Sequence, residues 1–359
     1  MIAKIEKIIQ KYSDKKHSFV TGNGTSAIFL ALKASAIKKG SKIAVLNIAC
    51  PDPVYALIWA GYKPVFIDVN IDDYNMDTKK LEAELQINQD IKAIIAIHLF
   101  GNACNIVTIK KLAKQYNCFL LEDCAQAFGN EIKEGKLGSF GDVSIFSFGN
   151  GKIVEIGHGG TIQTNSKELL ENIKREYKKL PKYNETNINR LSILHRKIYY
   201  KLYYLGMKYP RLNILNLVYV YFFKGYYLYQ LDDAKLALIL SKLESFNSDK
   251  INRVNIVNNY ISELEDVVKM PRLNNKENIL SKLTITISDA ENISKNIRDN
   301  GIHSNTMYPM LIDRFKIFFN KKDYANSYDL KGRLLNLWTS GVDKTKIDRT
   351  VKIIKDSYE

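Results

Sequence analysis

Three short stretches hold the residues best suited to chemistry, and each lies where a predicted strand ends. The first is a turn of small residues, Thr21-Gly22-Asn23-Gly24-Thr25-Ser26-Ala27, which leaves a strand and opens a helix. Glycines allow the backbone to approach an anion, and the free N–H groups of a first helical turn favour a phosphate. A tight turn with an ordinary Thr or Ser cap would contain the same residue types, so both interpretations stay open here.

The second stretch is an apolar strand that ends in two acids, Cys118-Phe119-Leu120-Leu121-Glu122-Asp123, and continues into Cys124-Ala125-Gln126-Ala127. An acid at the C-terminal end of an interior parallel strand lies where open α/β sheets bind ligands, and its burial requires a cationic partner. The equally weighted alternative is that Asp123 only caps the next helix.

The third stretch carries Lys152 out of a buried strand at 144–148 into a loop with five glycines that ends at Gly160. A lysine desolvated in such a loop can form a Schiff base with an aldehyde, whereas a solvated surface lysine has no need of these glycines. A phosphate cradle, a buried acid and this lysine are together what pyridoxal phosphate requires for its phosphate, its pyridinium nitrogen and its aldehyde. The combination of the three stretches therefore predicts a pyridoxal phosphate site.

The order and spacing of these stretches resemble those of the DegT/DnrJ/EryC1/StrS aminotransferases, which act on nucleotide-linked keto sugars. The resemblance covers most of the chain, and its most specific segments are residues 24–27, 60–69, 98–101, 122–129 and 138–142, followed by the lysine loop. It implies the type I fold of pyridoxal-phosphate enzymes, a homodimer, and transfer of an amino group from an amino-acid donor, expected to be glutamate, to a nucleotide-linked keto-deoxy sugar. The product would serve surface polysaccharide or lipopolysaccharide biosynthesis.

The resemblance also implies a role for each residue of the site. Lys152 would hold the cofactor's aldehyde and move the 1,3-proton, Asp123 would pair with the pyridinium nitrogen, and Gln126 would lie near the 3-hydroxyl. The residues that would hold the phosphate are Gly24, Thr25, Ser26 and Ser147.

Several positions differ from the family pattern. Cys50 stands where the family usually stacks an aromatic side chain on the cofactor ring. Gly149 and His158 are the two unusual residues of the lysine loop, and His158 is expected to line the site. Leu228-Tyr229-Gln230 stands where the family usually has an Asn-Tyr-Arg that reaches the neighbouring subunit.

Two alternatives to an aminotransferase stay open. One is a pyridoxal-phosphate-dependent sugar dehydratase, against which the retention of Lys152 argues. The other is a cofactor-binding protein with a weak or regulatory function, which the altered pocket positions favour.

Short apolar runs alternate with helical patterns in the first half of the chain and would position these residues. Strands are predicted at 18–21, 42–46, 64–69, 93–97, 118–121, 143–148 and 161–164, and helices at 25–38, 52–60, 78–85 and 106–116. The predicted fold class is α/β, with a large cofactor-binding domain over residues 1–245 built on a mostly parallel seven-stranded sheet. A smaller α+β domain is predicted over residues 246–359. A helix at 231–246 is predicted at the junction, and the smaller domain would have a helix near 250–265, strands at 283–287 and 334–337 and a closing helix at 344–356.

A basic, tyrosine-rich insertion is predicted at about 182–230. The chain of 359 residues has a net charge of +15, and residues 174–224 hold twelve Lys and Arg against two acids. One interpretation of residues 196–230 is packing on the main domain or at a dimer interface, and another is peripheral contact with a membrane surface. No DNA- or RNA-reading motif is present, so we expect no nucleic-acid partner.

The four cysteines lack CxxC spacing and the density of a disulfide scaffold, which favours a reducing, cytoplasmic location, with the inner face of the membrane as the alternative. No set of residues has metal-ligand spacing, so we expect no metal site. His98 is predicted to be a hydrogen-bonded core residue, and His17, His195 and His303 are predicted to lie at the surface.

Overall fold

The computed structural model describes residues 1–208, 214–306, 311–315 and 324–358 of the chain. Residues 209–213 of the predicted basic insertion lie outside the described residues. The strands are β1 His17–Thr21, β2 Lys42–Leu46, β3 Lys63–Ile67, β4 Ile91–Ile97, β5 Phe119–Asp123, β6 Glu131–Ile132, β7 Gly135–Lys136, β8 Val143–Ser147, β9 Gly160–Thr164, β10 Lys282–Thr286, β11 Ser304–Thr306 and β12 Leu334–Trp338.

Helices precede, connect and follow these strands. They are α1 Ile2–Ser13, α2 Gly24–Ala34, α3 Asp52–Ala60, α4 Thr78–Ile87, α5 Ile106–Gln115, α6 Lys167–Tyr177, α7 Glu185–Lys208, α8 Ile214–Phe222, α9 Lys224–Tyr227, α10 Leu236–Glu244, α11 Phe246–Leu264, α12 Ala290–Asp299, α13 Leu311–Arg314, α14 Ala325–Leu330 and α15 Lys344–Lys355. Among the described residues, no helix combines the length and apolar character needed to cross a membrane.

A seven-stranded sheet forms the centre of the large domain, in the order β1-β9-β8-β5-β4-β2-β3. Four of its six neighbouring pairs are parallel, and only the pairs that involve β9 are antiparallel. The interior strands are continuous apolar runs because helices cover both faces of the sheet. The predicted α/β fold with a mostly parallel seven-stranded sheet is confirmed.

The C-terminal region has an antiparallel sheet of its own, in the order β10-β12-β11. A second hydrophobic core lies under this sheet and includes Tyr260, Leu283 and Leu337. Helix α11 links the two cores, since Phe246 at its start belongs to the first and Tyr260 near its end belongs to the second.

Two predicted helices have different limits in the structure. The helix predicted at 231–246 begins only at Leu236, because Asp232 caps a separate short turn at Asp233–Lys235. The helix predicted at 25–38 ends at Ala34, because the backbone of Ser35 is extended. Helices α6 and α12 were not predicted.

Candidate active site

Asp123 is the last residue of β5, an interior strand of the sheet. Its neighbours in register are Ile97 of β4 and Ile145 of β8, so its side chain lies at the C-terminal edge of the parallel strands. The carboxylate accepts a hydrogen bond of 2.9 Å from the backbone N–H of Ala125 and is only 4% exposed. Burial raises the pKa of Asp123, while the Ala125 N–H and the charge of Lys152 act in the opposite direction. A cation bound here would therefore stabilise the ionised carboxylate.

The predicted phosphate turn lies beside the end of β8. Asn23 caps α2 by accepting a 2.7 Å hydrogen bond from the backbone N–H of Ser26. A Cβ atom at Gly24 would lie 2.8 Å from Cβ of Ser147 and 3.0 Å from its Oγ. Only a glycine therefore lets the start of α2 come this close to the Ser147 hydroxyl, and the structure brings the two halves of the predicted anion cradle together.

The other two hydroxyls of the predicted cradle have protein partners. Thr25 donates a 3.2 Å hydrogen bond to Asp52 at the start of α3. Ser26 is fully buried and donates a 3.0 Å hydrogen bond to the carbonyl oxygen of Tyr227. The Ser26 side chain thus holds the segment Tyr227–Tyr229 against α2.

Lys152 lies in the loop between β8 and β9 and is partly exposed. Arg253 of α11 fixes this loop, since its guanidinium donates to the carbonyl oxygens of Lys152 at 3.4 Å and Ile153 at 3.3 Å. The same guanidinium donates a 2.9 Å bond to the Thr339 hydroxyl, just after β12. Arg253 therefore ties the lysine loop to the small domain.

A second lysine approaches the site from the small domain. Lys282 begins β10, is 8% exposed, and has its ammonium 4.4 Å from the ring centroid of Trp338. Burial lowers the pKa of Lys282 to about 8, and the charge of Lys152 acts in the same direction. The lysine loop thus lies near enough to the start of β10 for the charge of Lys152 to act on Lys282.

Cys50 lies close to both Asp52 and Lys152. Burial raises the pKa of its thiol, the charge of Asp52 raises it further, and the charge of Lys152 acts against them. The thiol is therefore protonated at neutral pH and offers a polarizable surface rather than a nucleophile.

Gln126 lies at the junction of the two domains and is largely buried. Its side-chain oxygen accepts a 3.3 Å hydrogen bond from the hydroxyl of Ser281, the residue before Lys282. The structure therefore places Gln126 between the end of β5 and the start of β10.

The segment Tyr227–Tyr229 covers the phosphate turn of its own chain. The side chain of Asn23 donates a 2.7 Å hydrogen bond to the Tyr227 carbonyl, and a Cβ atom at Gly22 would overlap the carbonyl oxygen of Tyr229. Leu228 is buried in this segment. His158 bonds the Tyr229 hydroxyl at 3.2 Å, and burial lowers the pKa of His158, so its ring is neutral at pH 7.

Within the described residues, one group has the chemistry of metal ligands: His98, Glu122 and Cys124. The atoms of this group that could bind a metal already have partners in the protein. His98 accepts a hydrogen bond from the backbone N–H of Cys104 and bonds Glu122 at 3.2 Å, and Glu122 also accepts from three backbone N–H groups. His98 is thus a hydrogen-bonded core residue.

His195, which was predicted to lie at the surface, is half-buried instead. Its Nε2 lies 2.8 Å from the Tyr227 hydroxyl.

Three residues of the site were not predicted from the sequence: Asp52, Arg253 and Lys282. Arg253 and Lys282 reach the site only through contacts between distant parts of the chain, and nothing in their local sequence distinguishes them from surface residues.

Residues 1–355 match the sequence profile of the DegT/DnrJ/EryC1/StrS aminotransferase family. The chain belongs to this family. Its resemblance to the family, inferred from the three motifs, is therefore confirmed.

The curated relatives of this family member include two nucleotide-sugar enzymes. GDP-perosamine synthase of Escherichia coli O157:H7 is 36% identical over 170 residues, which are 46% of this chain and 46% of that protein. UDP-4-amino-4,6-dideoxy-N-acetyl-beta-L-altrosamine transaminase of Campylobacter jejuni is 39% identical over 175 residues, which are 48% of this chain and 46% of that protein. The chain therefore matches about half the length of these relatives.

Two solved structures share the fold over nearly the whole chain. A DegT DnrJ EryC1 StrS aminotransferase from Brucella abortus has a TM-score of 0.79 at 23% identity, with 99% of this chain and 90% of that chain covered. NtdA from Bacillus subtilis, solved with bound cofactor PMP, has a TM-score of 0.74 at 18% identity, with 98% of this chain and 76% of that chain covered. These likenesses establish the fold.

Proposed function

We propose that the protein is a pyridoxal-phosphate-dependent aminotransferase that transfers an amino group from glutamate to a nucleotide-linked keto-deoxy sugar, for surface polysaccharide or lipopolysaccharide biosynthesis. One observation carries this proposal: buried Asp123, the Gly24–Ser147 contact and Lys152 converge at the C-terminal edge of one sheet. The names of the two curated relatives, a GDP-perosamine synthase and a UDP-amino-sugar transaminase, support the substrate class.

The residues of the site fit pyridoxal phosphate. Within the part of the chain that the structure describes, buried Asp123 has no cationic hydrogen-bond partner, and its ionised form would gain from a protonated ring nitrogen. The start of α2 and the Ser147 hydroxyl present hydrogen-bond donors to a phosphate. When bound, the cofactor supplies an electron sink for removal of a proton next to nitrogen.

The chain's own groups would bind the cofactor and move protons. The Lys152 amine would hold the aldehyde carbon and then act as the base and acid of the proton transfer. Asp123 would keep the proton on the ring nitrogen, and Gln126 would contact the 3-hydroxyl. The remaining cofactor contacts would come from Gly24, Thr25, Cys50 and Ser147. Ser26, also expected to hold the phosphate, is fully buried, and its N–H and hydroxyl already bond within the chain, so its role would be to position the turn.

The amino donor also needs a cation for its carboxylate, and Lys282 has the position for this role. It is buried at the start of β10, within electrostatic reach of Lys152, and the neighbouring Ser281 bonds Gln126. A lysine held by burial close to the reacting amine can bind a carboxylate there. We therefore include Lys282 in the proposed donor site.

The proposal includes a homodimer, which the family resemblance implies, and a cytoplasmic location, which the cysteine pattern favours. All four cysteines are unpaired, which agrees with a reducing compartment.

A product analysis tests the reaction. Purified protein with pyridoxal phosphate and glutamate is incubated with GDP-, UDP- and TDP-linked keto-deoxy sugars, and the products are identified by mass spectrometry. We expect an amino sugar and one equivalent of 2-oxoglutarate from at least one sugar, and neither from the Lys152→Ala variant. Loss of a hydroxyl without amination would instead indicate a dehydratase, and absence of both reactions would contradict the proposal.

A further inference from the structure

Helix α7 of the insertion has two different faces. Its inward side chains, Leu191, Leu194, Ile198 and Leu202, pack against the core of the large domain. Its outward residues follow one another at helical spacing and are exposed: Ile193, Arg196, Lys197, Lys201 and Leu205. The outward face therefore alternates apolar side chains with cations.

Helix α8 packs against α7 and also has an exposed side. Its inward residues Tyr219 and Val220 are buried, and the indole N–H of Trp59 donates a 3.1 Å bond to the Val220 carbonyl. Its outward residues are exposed despite being apolar, with exposed fractions of 61% for Val218, 58% for Tyr221 and 60% for Phe222. We call the outward residues of α7 and α8 together the α7–α8 face.

The sequence that carries this face has charged residues of one sign. Between Glu185 and Asp232 the sequence contains seven Lys and Arg residues and no acid. Two copies of the chain that met through identical α7–α8 faces would bring these cations together in a partly desolvated contact, which is unfavourable. A partner with a continuous anionic surface and an apolar layer beneath it would satisfy both the cations and the exposed rings.

We propose that the α7–α8 face binds the surface of an anionic lipid bilayer. The lysines and arginine would meet the lipid phosphates, and Tyr221, Phe222 and Val218 would enter the headgroup region, where aromatic side chains are favoured. The inward contacts of both helices would keep the large domain, and the active site with it, at a fixed orientation to the membrane. This contact goes beyond the proposed reaction and does not depend on it.

Vesicle co-sedimentation tests this contact. The cofactor-loaded protein is mixed with vesicles of phosphatidylcholine alone or with added phosphatidylglycerol, at low and high salt. We expect binding only to the anionic vesicles, with affinity that falls as salt rises. A basic residue near such a surface contributes roughly a five-fold preference, so Lys197→Glu/Lys201→Glu should lower binding by at least about ten-fold.

A matched variant controls for net charge. Lys295→Glu/Lys352→Glu makes the same charge change at exposed positions of the small domain and should bind anionic vesicles like the wild type. Tyr221→Ser/Phe222→Ser should also lose binding, and its visible cofactor spectrum and thermal unfolding would show that the variant is folded.

The outcomes separate the membrane from other partners. Failure of the wild type to bind anionic vesicles, or an equal loss in the small-domain control, would overturn the contact. So would dissociation of a dimer by Tyr221→Ser/Phe222→Ser, since the face would then bind a second copy of the chain. If these variants form the same products at the same rate as the wild type, the proposed reaction does not depend on the membrane contact.

Discussion

The proposed chemistry depends on two groups of opposite charge that come from different strands. The Asp123 carboxylate is buried at the end of β5, and Lys152 lies in the loop after β8. Burial alone would favour the protonated acid, whereas a cation close by favours the carboxylate. Among the described residues no cation hydrogen-bonds the Asp123 carboxylate, so in the proposed site Asp123 would hold a proton on a bound ring nitrogen.

The substitution Asp123→Asn tests this role, because the asparagine side chain has nearly the same shape as that of aspartate but no charge. The amide should still accept the Ala125 N–H bond, so we expect a folded protein that binds pyridoxal phosphate. Turnover should fall by about a hundred-fold or more, since a neutral amide does not hold the ring proton. Steady-state kinetics measure the effect, and full turnover in the variant would show that Asp123 only caps the turn.

The pKa of Lys282 predicts that binding of the amino donor depends on pH. The Lys282 ammonium is protonated below its pKa of about 8, so carboxylate binding should be complete at lower pH and weaken as the pH rises through 8. We expect the KM for glutamate to rise above pH 8 in the wild type. In Lys282→Arg, whose guanidinium stays charged, this rise should vanish.

The neutral variant Lys282→Met completes that measurement. The KM for glutamate should be high at every pH, while the KM for the sugar stays near the wild-type value. An unchanged glutamate KM in Lys282→Met would remove Lys282 from the donor site.

At the scale of elements, sequence patterns located the strands well because each interior strand is a short apolar run ended by a small or polar residue. The ends of β5 and β8 then fixed Asp123 and Ser147 at one edge. Arg253 escaped prediction because it acts on a carbonyl 101 residues away, which no local pattern records. Helices α6 and α12 escaped because charged and polar residues surround their few apolar positions.

The segment Tyr227–Tyr229 differs most from the family-based expectation. The resemblance implies a segment that reaches the neighbouring subunit, whereas here Tyr229 of the equivalent segment bonds Ser26 of its own chain, and the preceding Tyr227 accepts bonds from Asn23 and Ser26. The sequence shows that Leu228 differs from the family pattern, but it does not show which contact this segment makes within its own chain.

The substitution Gly22→Ala tests the fit of this segment over the phosphate turn. The added methyl group would overlap the Tyr229 carbonyl, so one of the two segments must move. We expect a loss of about 1–3 kcal/mol in the free energy of unfolding and weaker binding of pyridoxal phosphate. Denaturant unfolding and a cofactor titration measure the two effects.

Gly225→Ala provides the matched control in the same region. Its Cβ would meet nothing within 4 Å, and the residue lies in the short helix α9. We expect an unchanged or slightly higher stability, since alanine is the better helix former. Equal behaviour of the two alanine variants would contradict the tight contact at Gly22.

At the scale of the whole molecule, the candidate site contains residues from the two parts of the chain that have their own hydrophobic cores. The large domain supplies the sheet edge with Asp123 and Lys152. The small domain supplies Lys282, and α11 supplies Arg253, which holds the lysine loop. Most of the chain's excess positive charge lies away from these residues, because residues 174–224, which include helices α7 and α8, hold twelve Lys and Arg against two acids. The proposed reaction and the proposed membrane contact thus belong to separate regions of the chain.

The most direct test of the account is to identify the amine that holds the cofactor. The protein is loaded with pyridoxal phosphate, reduced with borohydride, digested and analysed by mass spectrometry. We predict a phosphopyridoxyl group on the peptide that carries Lys152, together with a visible absorbance band before reduction that Lys152→Ala abolishes. A label on Lys282 or on another lysine, with Lys152 unmodified, would contradict the account.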